Sequence, residues 1–432
     1  MSAVNAELIN DSPEAKRRDW QIMALIGAAH SCSHFFQLVI PTLYLSLAAQ
    51  FGYSFAELGT ITAIFFVMSG VGQSSSGFVV DRIGATPVLY FGLAGFVVSG
   101  ALLGLANGYL MLALAAAIGG VANGVFHPAD YSILNLRISP SRLGHAFSTH
   151  GFTGNLGWAI TPVFMSTIIY LANWRVAAFA AGGLVGLVLI IVILGRRLLE
   201  EPTNEKAAAS VQTVKSQAES AAEHDLANAS VLKTLKILSV QPALWGAFFF
   251  FMFTSIALSA VQNYTIPMLD DVYGIDKVLA GTTLSAYMAA AALGMIAGGF
   301  LVGATPNNER TIAISLFLAG GLLVLLASGV LIPAVAMVVV GLAGFCAGVA
   351  TPSRDMLIRQ AAPKGATGTV YGLVYSGMDV GASLGPIGFG IMLDAGFNQG
   401  PWLGAAMAFV IAALLAYMVA RAVMHKNQMQ VA

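Results

Sequence analysis

Seven histidines and a few ionisable side chains stand in an otherwise apolar chain, and their spacing is the first guide to chemistry. His30 and His34 are one helical turn apart and share a face with Gln37 and, less closely, with Cys32, since residues three and four apart are neighbours on a helix. An imidazole titrates near neutrality and can pass a proton, or it can sit neutral in a core with two hydrogen bonds. His127 and Asp130, spaced i, i+3, put a proton acceptor beside an acid. They are the leading pair for proton coupling, with a helix-end cap as the alternative. Asp379 lies about midway along an apolar stretch with no base near it in sequence. A carboxylate there either carries a proton or hydrogen-bonds inside a glycine-rich seam.

These residues call for special treatment because of the solvent the chain requires. Of 432 residues 57% are hydrophobic and only 9% charged, with a mean hydropathy of +0.80, against about 25% charged in a soluble domain. At roughly 20 apolar residues per crossing, the chain divides into twelve spans. The first half gives 20–49, 57–80, 86–106, 109–134, 144–171 and 175–195; the second gives 243–269, 278–303, 310–330, 333–353, 366–393 and 400–424. An ionisable side chain within such a span costs roughly 2.5–3.5 kcal/mol or more to insert, so each one needs a partner or a function.

Residues 1–19 read as an uncleaved cytoplasmic tail without a cleavable leader, 196–242 as a polar cytoplasmic linker, and 425–432 as a second cytoplasmic tail. His224 and His425 fall in these polar segments as solvated residues. Of the 20 Lys and Arg, all but Arg175 and Lys277 fall on the side that holds both termini, a positive-inside pattern that puts both termini in the cytoplasm of an inner-membrane protein. Cys32 and Cys346 lie in separate spans and read as small apolar filler.

The chain also repeats itself. At an offset of 224, Gly124, Pro128, Gly144, Gly157 and Pro162 fall on Gly348, Pro352, Gly368, Gly381 and Pro386; at 222, Gly52, Gly59, Thr60, Gly72 and Gly77 fall on Gly274, Gly281, Thr282, Gly294 and Gly299. Ile40-Pro41 faces Ile266-Pro267. The two halves therefore run in the same order and topology, as parallel repeats about an axis normal to the membrane. Small residues suit them, because they let helix backbones approach closely in lipid.

The segment Gly77-Phe78-Val79-Val80-Asp81-Arg82-Ile83-Gly84 resembles the major facilitator signature Gly-x-x-x-Asp-Arg-x-Gly. Residues 124–162, with Gly124-Val125-Phe126-His127-Pro128, Arg142-Leu143-Gly144 and Gly154-Asn155-Leu156-Gly157, resemble the fosmidomycin-resistance branch, echoed in Gly377-Met378-Asp379-Val380-Gly381. The resemblance implies an all-α fold of twelve transmembrane helices in two six-helix halves, with a cytoplasmic latch at Asp81 and Arg82. It also implies a central route lined by the first, fourth, seventh and tenth spans. That puts His30, His34, Gln37, Asn123, Gln262, Asn263 and Tyr264 on the substrate cavity; His127, Asp130 and Asp379 stand as the proton-coupling candidates on their own chemistry. His145 and His150 rank lower, the fifth span being more often a packing element.

In the repeat Asp130 aligns with Arg354 and Asn155 with Asp379. Asp130 and Arg354 can thus meet across the halves as a gate on the cytoplasmic side, or Asp355 can neutralise Arg354 locally. No Walker loop, dinucleotide fingerprint, nucleophile elbow or metal-ligand spacing occurs, nor a basic patch interleaved with aromatics. The expectation is a transporter and not an enzyme: cofactor-free, functional as a monomer, with protons and a small molecule as partners. Export of an antimicrobial or metabolite is the first reading, and proton-coupled uptake of an organic anion or a non-transporting sensor are the alternatives.

Overall fold

The computed structural model of the chain describes residues 12–200, 242–305, 307–361 and 367–431. Twelve long helices are present among the described residues: α1 (Pro13–Phe51), α2 (Phe55–Ile83), α3 (Ala85–Leu105), α4 (Tyr109–Arg137), α5 (Leu143–Leu171), α6 (Trp174–Leu194), α7 (Pro242–Tyr273), α8 (Lys277–Ala304), α9 (Asn308–Ala327), α10 (Pro333–Ala361), α11 (Thr367–Asp394) and α12 (Gly400–Val431). Ten of them are long and apolar enough to cross a membrane. The other two, α5 and α11, are repeat mates of 29 and 28 residues, diluted by Gly, Ser and Thr.

Both chain ends differ from the sequence reading. The first helix begins at Pro13, capped by Ser12, whose Oγ accepts from Ala15 N at 3.1 Å, so part of the expected N-terminal tail is helical. The last helix runs on to Val431, through most of the expected C-terminal tail. Most of the expected linker, 201–241 with His224, lies outside the described residues; Arg196–Leu199 form one further helical turn.

Within the first half α1 packs on α5, α2 on α4, and α3 on α4 and α6. The second half repeats this with α7 on α11, α8 on α10, and α9 on α10 and α12. The halves meet through α2 against α11 and α5 against α8. The two seams are closely equivalent: a Cβ on Gly59 would run into the Pro386 carbonyl, and one on Gly281 would strike Ser166 Oγ and crowd the Pro162 carbonyl at 3.1 Å. Glycine at both places is a condition of the close approach.

Hydrogen bonds between the halves gather at the end opposite the chain termini, the far end. Tyr44 OH of α1 donates to Asn263 Oδ1 of α7 at 3.0 Å, Tyr264 OH donates to the Pro386 carbonyl, and Val163 N of α5 donates to Ser285 Oγ of α8 at 3.0 Å. Asp394, the last residue of α11, accepts from Phe55 N and Ala56 N, both at 2.8 Å. A carboxylate from one half thus caps a helix of the other, where the free N–H groups and the dipole favour negative charge. That helix already carries its own capping box, Ser54 with Glu57.

At the terminal end the first half is braced internally. Asp19 is fully buried and accepts from Ser139 N at 3.1 Å and from Arg142 Nε at 3.0 Å, which ties the start of α1 to the connection between α4 and α5.

Replacing Asp394 with Asn removes the charge at this cap, worth about 1 kcal/mol at an exposed helix start. Spin labels at exposed Ala49 and Gln399, one on each half at the far end, should then show the longer-distance population growing some five-fold in pulsed-dipolar spectra. An unchanged distance distribution would mean that Asp394 does not hold the seal.

Candidate functional site

Asp130 sits in the second piece of α4, and the break that makes it a second piece has a local cause. Proline has no N–H and its ring crowds the carbonyl four residues back, so Pro128 frees the Gly124 carbonyl. That carbonyl accepts from Ser76 Oγ of α2 at 3.2 Å. The helix ends at Asn123 and restarts at Phe126, a change of course that α10 does not make at the equivalent Pro352.

Asp130 is 0% exposed, and an ionised carboxylate without water needs donors. Two imidazoles meet it at the same oxygen: His30 Nδ1 lies 3.0 Å and His150 Nε2 3.1 Å from Asp130 Oδ2. The rings of His30 and His150 stack with centroids 3.5 Å apart. With the carboxylate ionised, each of those nitrogens carries its proton, so His30 Nε2 and His150 Nδ1 keep lone pairs. The trio bears one negative charge, and a single added proton makes it neutral.

Next to His30 stand His34, at 4.7 Å between centroids, and His127, at 5.3 Å and also 5.9 Å from His150. Both are half-buried, so they lie between the trio and the interior surface of the half. His127 Nδ1 is 3.3 Å from Gln73 Oε1 of α2, and His34 packs against Trp158 of α5 at 4.2 Å between centroids. Space for the rings comes from Gly154, where a Cβ would lie 2.9–3.1 Å from atoms of His34 and His30.

A neutral network adjoins this cluster. Trp158 Nε1 donates to Gln37 Oε1 at 3.0 Å, Gln37 Nε2 to Asn123 Oδ1 at 3.3 Å, Ser33 Oγ to the same oxygen at 2.7 Å, and Asn123 Nδ2 to Ser69 Oγ at 2.7 Å. It links α5, α1, α4 and α2, and every member belongs to the first half.

The structure brings together His30, His34, His127 and Asp130, and beside them Gln37 with Asn123. It adds His150, which the sequence had ranked as packing. The available signal was His150 four residues before Gly154, on a helix too polar for plain packing. In this structure Asp130 is engaged by its two histidines and Arg354 Nε donates to Asp355 Oδ1 at 2.8 Å with its guanidinium over Phe251, which is the local alternative; a meeting of Asp130 and Arg354 belongs to the opposite, outward-facing state. Two expectations need correction. Gln262, Asn263 and Tyr264 do not line an open cavity; all three are buried, the latter two as parts of the far-end seal. Finally, ligand atoms from scattered positions do come together as groups able to hold a metal, His30, Asp130 and His150 in one and His30, His34 and His127 in the other, although no local spacing announces them.

Asp379 stands apart from the cluster. Half-buried on α11, its carboxylate lies 3.6 Å from where a side chain on Gly70 of α2 would begin, so it faces the other half across the seam. Asp81 and Arg82 are exposed at the terminal end of α2, followed by Gly84 at φ +86°. His145 is exposed and has the Trp20 ring for a neighbour.

Residues 25–386 match the Major Facilitator Superfamily profile. The chain is 24% identical to the membrane sensor protein UhpC of Salmonella typhimurium over 95% of its own length and 94% of that protein's. To the fosmidomycin resistance protein of Escherichia coli it is 30% identical over 41% of its length and 44% of that protein's. Among solved structures, a bacterial homolog of the human lysosomal transporter Spinster, in an inward-facing and unoccupied conformation, superposes with a TM-score of 0.69 at 14% identity, covering 94% of this chain and 96% of that one.

Gly154→Ala should strain the cluster, because a methyl group there needs both histidine rings to move; overpacking of this kind costs roughly 1–3 kcal/mol. Gly151→Ala, three residues away with nothing within 4 Å of its Cβ position, is the matched control. The melting temperature of the purified protein should fall for the first and hold for the second. Equal melting temperatures would show that the rings are not packed on Gly154.

Proposed function

This chain belongs to the major facilitator superfamily, and from that premise we propose a proton-coupled secondary transporter that works by alternating access and exports a small antimicrobial or metabolite. The observation that carries the reading is the geometry of the buried trio, two imidazoles on one carboxylate oxygen with no water around it. One carboxylate held by two imidazoles carries a net negative charge in a low-dielectric interior, and one proton cancels it. Loading and unloading that proton is the largest electrostatic change available inside the first half, because the neighbouring Trp158–Gln37–Asn123–Ser69 network is neutral. His127 and His34, half-buried on the approach to His30, are the groups through which a proton reaches the trio. Asp379, facing Gly70 across the α2–α11 seam, is the second coupling residue, since it is the acid placed to sense whether the halves are apposed.

Orientation follows from the basic residues. With the terminal end in the cytoplasm, the Tyr44–Asn263, Tyr264–Pro386 and Asp394 contacts close the outer side, and the structure corresponds to an inward-facing state ready to load cargo. Asp81 and Arg82 then belong to the latch that engages when the cytoplasmic side closes. Cargo binds between the halves at the half-buried face of His34, Gln37 and Trp158. Export is favoured over uptake of an organic anion by the pairing of Arg354 with Asp355, which cancels the charge an anion would seek. The name of the Salmonella relative supplies a different reading, a sensor that keeps the fold and transports nothing.

In everted vesicles holding a preformed proton gradient, the cargo of an exporter should discharge the gradient. Asp130→Asn and Asp379→Asn should each reduce that discharge at least ten-fold while leaving energy-independent counterflow in proteoliposomes. Discharge at the wild-type rate in both variants removes these acids from coupling, and absence of counterflow for any compound that stabilises the purified protein supports the sensor.

A further inference from the structure

We propose that His30, Asp130 and His150 form a binding site for a transition-metal ion of the zinc class, with His34 and His127 as its way in. One donor atom from each of His30, Asp130 and His150 lies within 4.8 Å of the other two, and His30 Nδ1 and His150 Nε2 stand 3.0 and 3.1 Å from Asp130 Oδ2. A tetrahedral ion bound about 2.0–2.1 Å from nitrogen and oxygen donors holds them roughly 3.3–3.5 Å apart. Those two pairs need to open by only a few tenths of an ångström, and the stacked rings, 25° apart, must turn out of their stack so that both nitrogen lone pairs point at the ion.

A second observation points to a missing ligand. Asp130 Oδ1 is buried and makes no hydrogen bond, and the same is true of His34 Nδ1; buried polar atoms of this kind are few in folded proteins and each wants an explanation. An ion between the imidazoles gives the carboxylate a partner for either oxygen. The outer group, His30 with His34 and His127, also has donor atoms within 4.8 Å. His34 and His127 are half-buried where His30, Asp130 and His150 are closed off, so an ion arriving from the interior surface meets the outer group first and passes inward at His30.

The donor set selects the class of ion. Two imidazoles with one carboxylate suit Zn²⁺, Co²⁺ and Ni²⁺, whereas Mg²⁺ and Ca²⁺ seek all-oxygen shells. The net negative charge of the trio favours a cation in any case. Among the described residues the titratable neighbour is Tyr131 on α4, which packs on His150 at 4.9 Å and stacks on His127 at 5.9 Å between centroids. All five imidazole and carboxylate donors come from α1, α4 and α5, so the ion sits inside one half and does not bridge the two. The site stands on geometry alone and does not depend on proton coupling.

The test uses the full-length protein in detergent, purified without a histidine tag, and Co²⁺ as the probe. The site should take up one Co²⁺ per chain with the intense visible absorption of four-coordinate cobalt, and Zn²⁺ should displace it. Asp130→Asn and His150→Ala should each weaken Co²⁺ binding at least about 100-fold, more than the loss of an outer-sphere partner. His145→Ala, on an exposed histidine of the same helix, should leave it unchanged. Asp130→Cys guards against a trivial folding defect, since a thiolate ligand restores binding and adds a sulfur-to-cobalt charge-transfer band in the near ultraviolet. No stoichiometric Co²⁺ uptake by the wild type overturns the site. So does uptake that Asp130→Asn and His150→Ala leave intact, or an Asp130→Cys protein that binds cobalt without the charge-transfer band.

Discussion

A carboxylate with no water around it sets the terms for the whole first half. Asp130 is fully buried, and an unpaired charge in that position would be prohibitive, so α4 has to be flanked by helices that bring donors. His30 comes from α1 and His150 from α5, stacked on each other over a single oxygen. That stacking requires α1 and α5 to lie almost in backbone contact, which in turn requires Gly157, where a Cβ would strike the Ser31 carbonyl, and Gly154, which leaves room for two rings. Glycines that look like a family signature in the sequence thus have a physical reason in the demand of one acid for partners.

The second half keeps the scaffold and drops the chemistry. Its helices pack in the same order, and its seams use the same glycines against the same prolines. At the positions equivalent to His127, Asp130 and His150, however, it has Thr351, Arg354 and Val374. Arg354 settles its charge on the adjacent Asp355 and on the face of Phe251, a surface solution in place of a buried one. The reverse asymmetry appears at Asp379, an acid where the first half has Asn155, and Asn155 simply donates to the Gly151 carbonyl of its own helix at 2.9 Å. A duplicated fold gives each half the same mechanics; the substitutions decide which half holds the ionisable centre.

The division between what could and could not be read in the sequence follows the range of the interactions. Twelve spans, their order and the repeat are legible because hydropathy and glycine spacing are local or periodic signals. The shared face of His30, His34 and Gln37 was visible for the same reason, as was the pairing of His127 with Asp130 on one helix. The rest depends on partners far apart in the chain. Asp130 finds His30 a hundred positions away, Tyr44 finds Asn263 across 219, and Asp394 reaches Phe55 across 339. Neither Asp19, which looked like the last residue of a tail, nor Asp394, which looked like a loop acid, carries any local mark of its role. Asn263 and Tyr264 were singled out correctly as polar groups in a span, but whether such groups line a route or seal it depends on which helix stands opposite, and that is set only when the halves dock.

The placement of the cluster constrains how any load it carries can be felt at the seal. No member of the trio belongs to the second half, so a bound proton or ion cannot close the far end by direct attraction between halves. The helices that supply the imidazoles, however, also supply the seal: α1 runs from His30 to Tyr44 and α5 from His150 to Val163, each a stretch of about 20 Å at 1.5 Å per residue. Both stretches contain a proline close to the seal, Pro41 and Pro162, where an intrahelical hydrogen bond is missing and a helix bends most easily. Just beyond these prolines the helices present Tyr44 to Asn263 and the Val163 amide to Ser285. The trio and the contacts between the halves are thus joined along two helices, α1 and α5, each with a proline between the cluster and the seal.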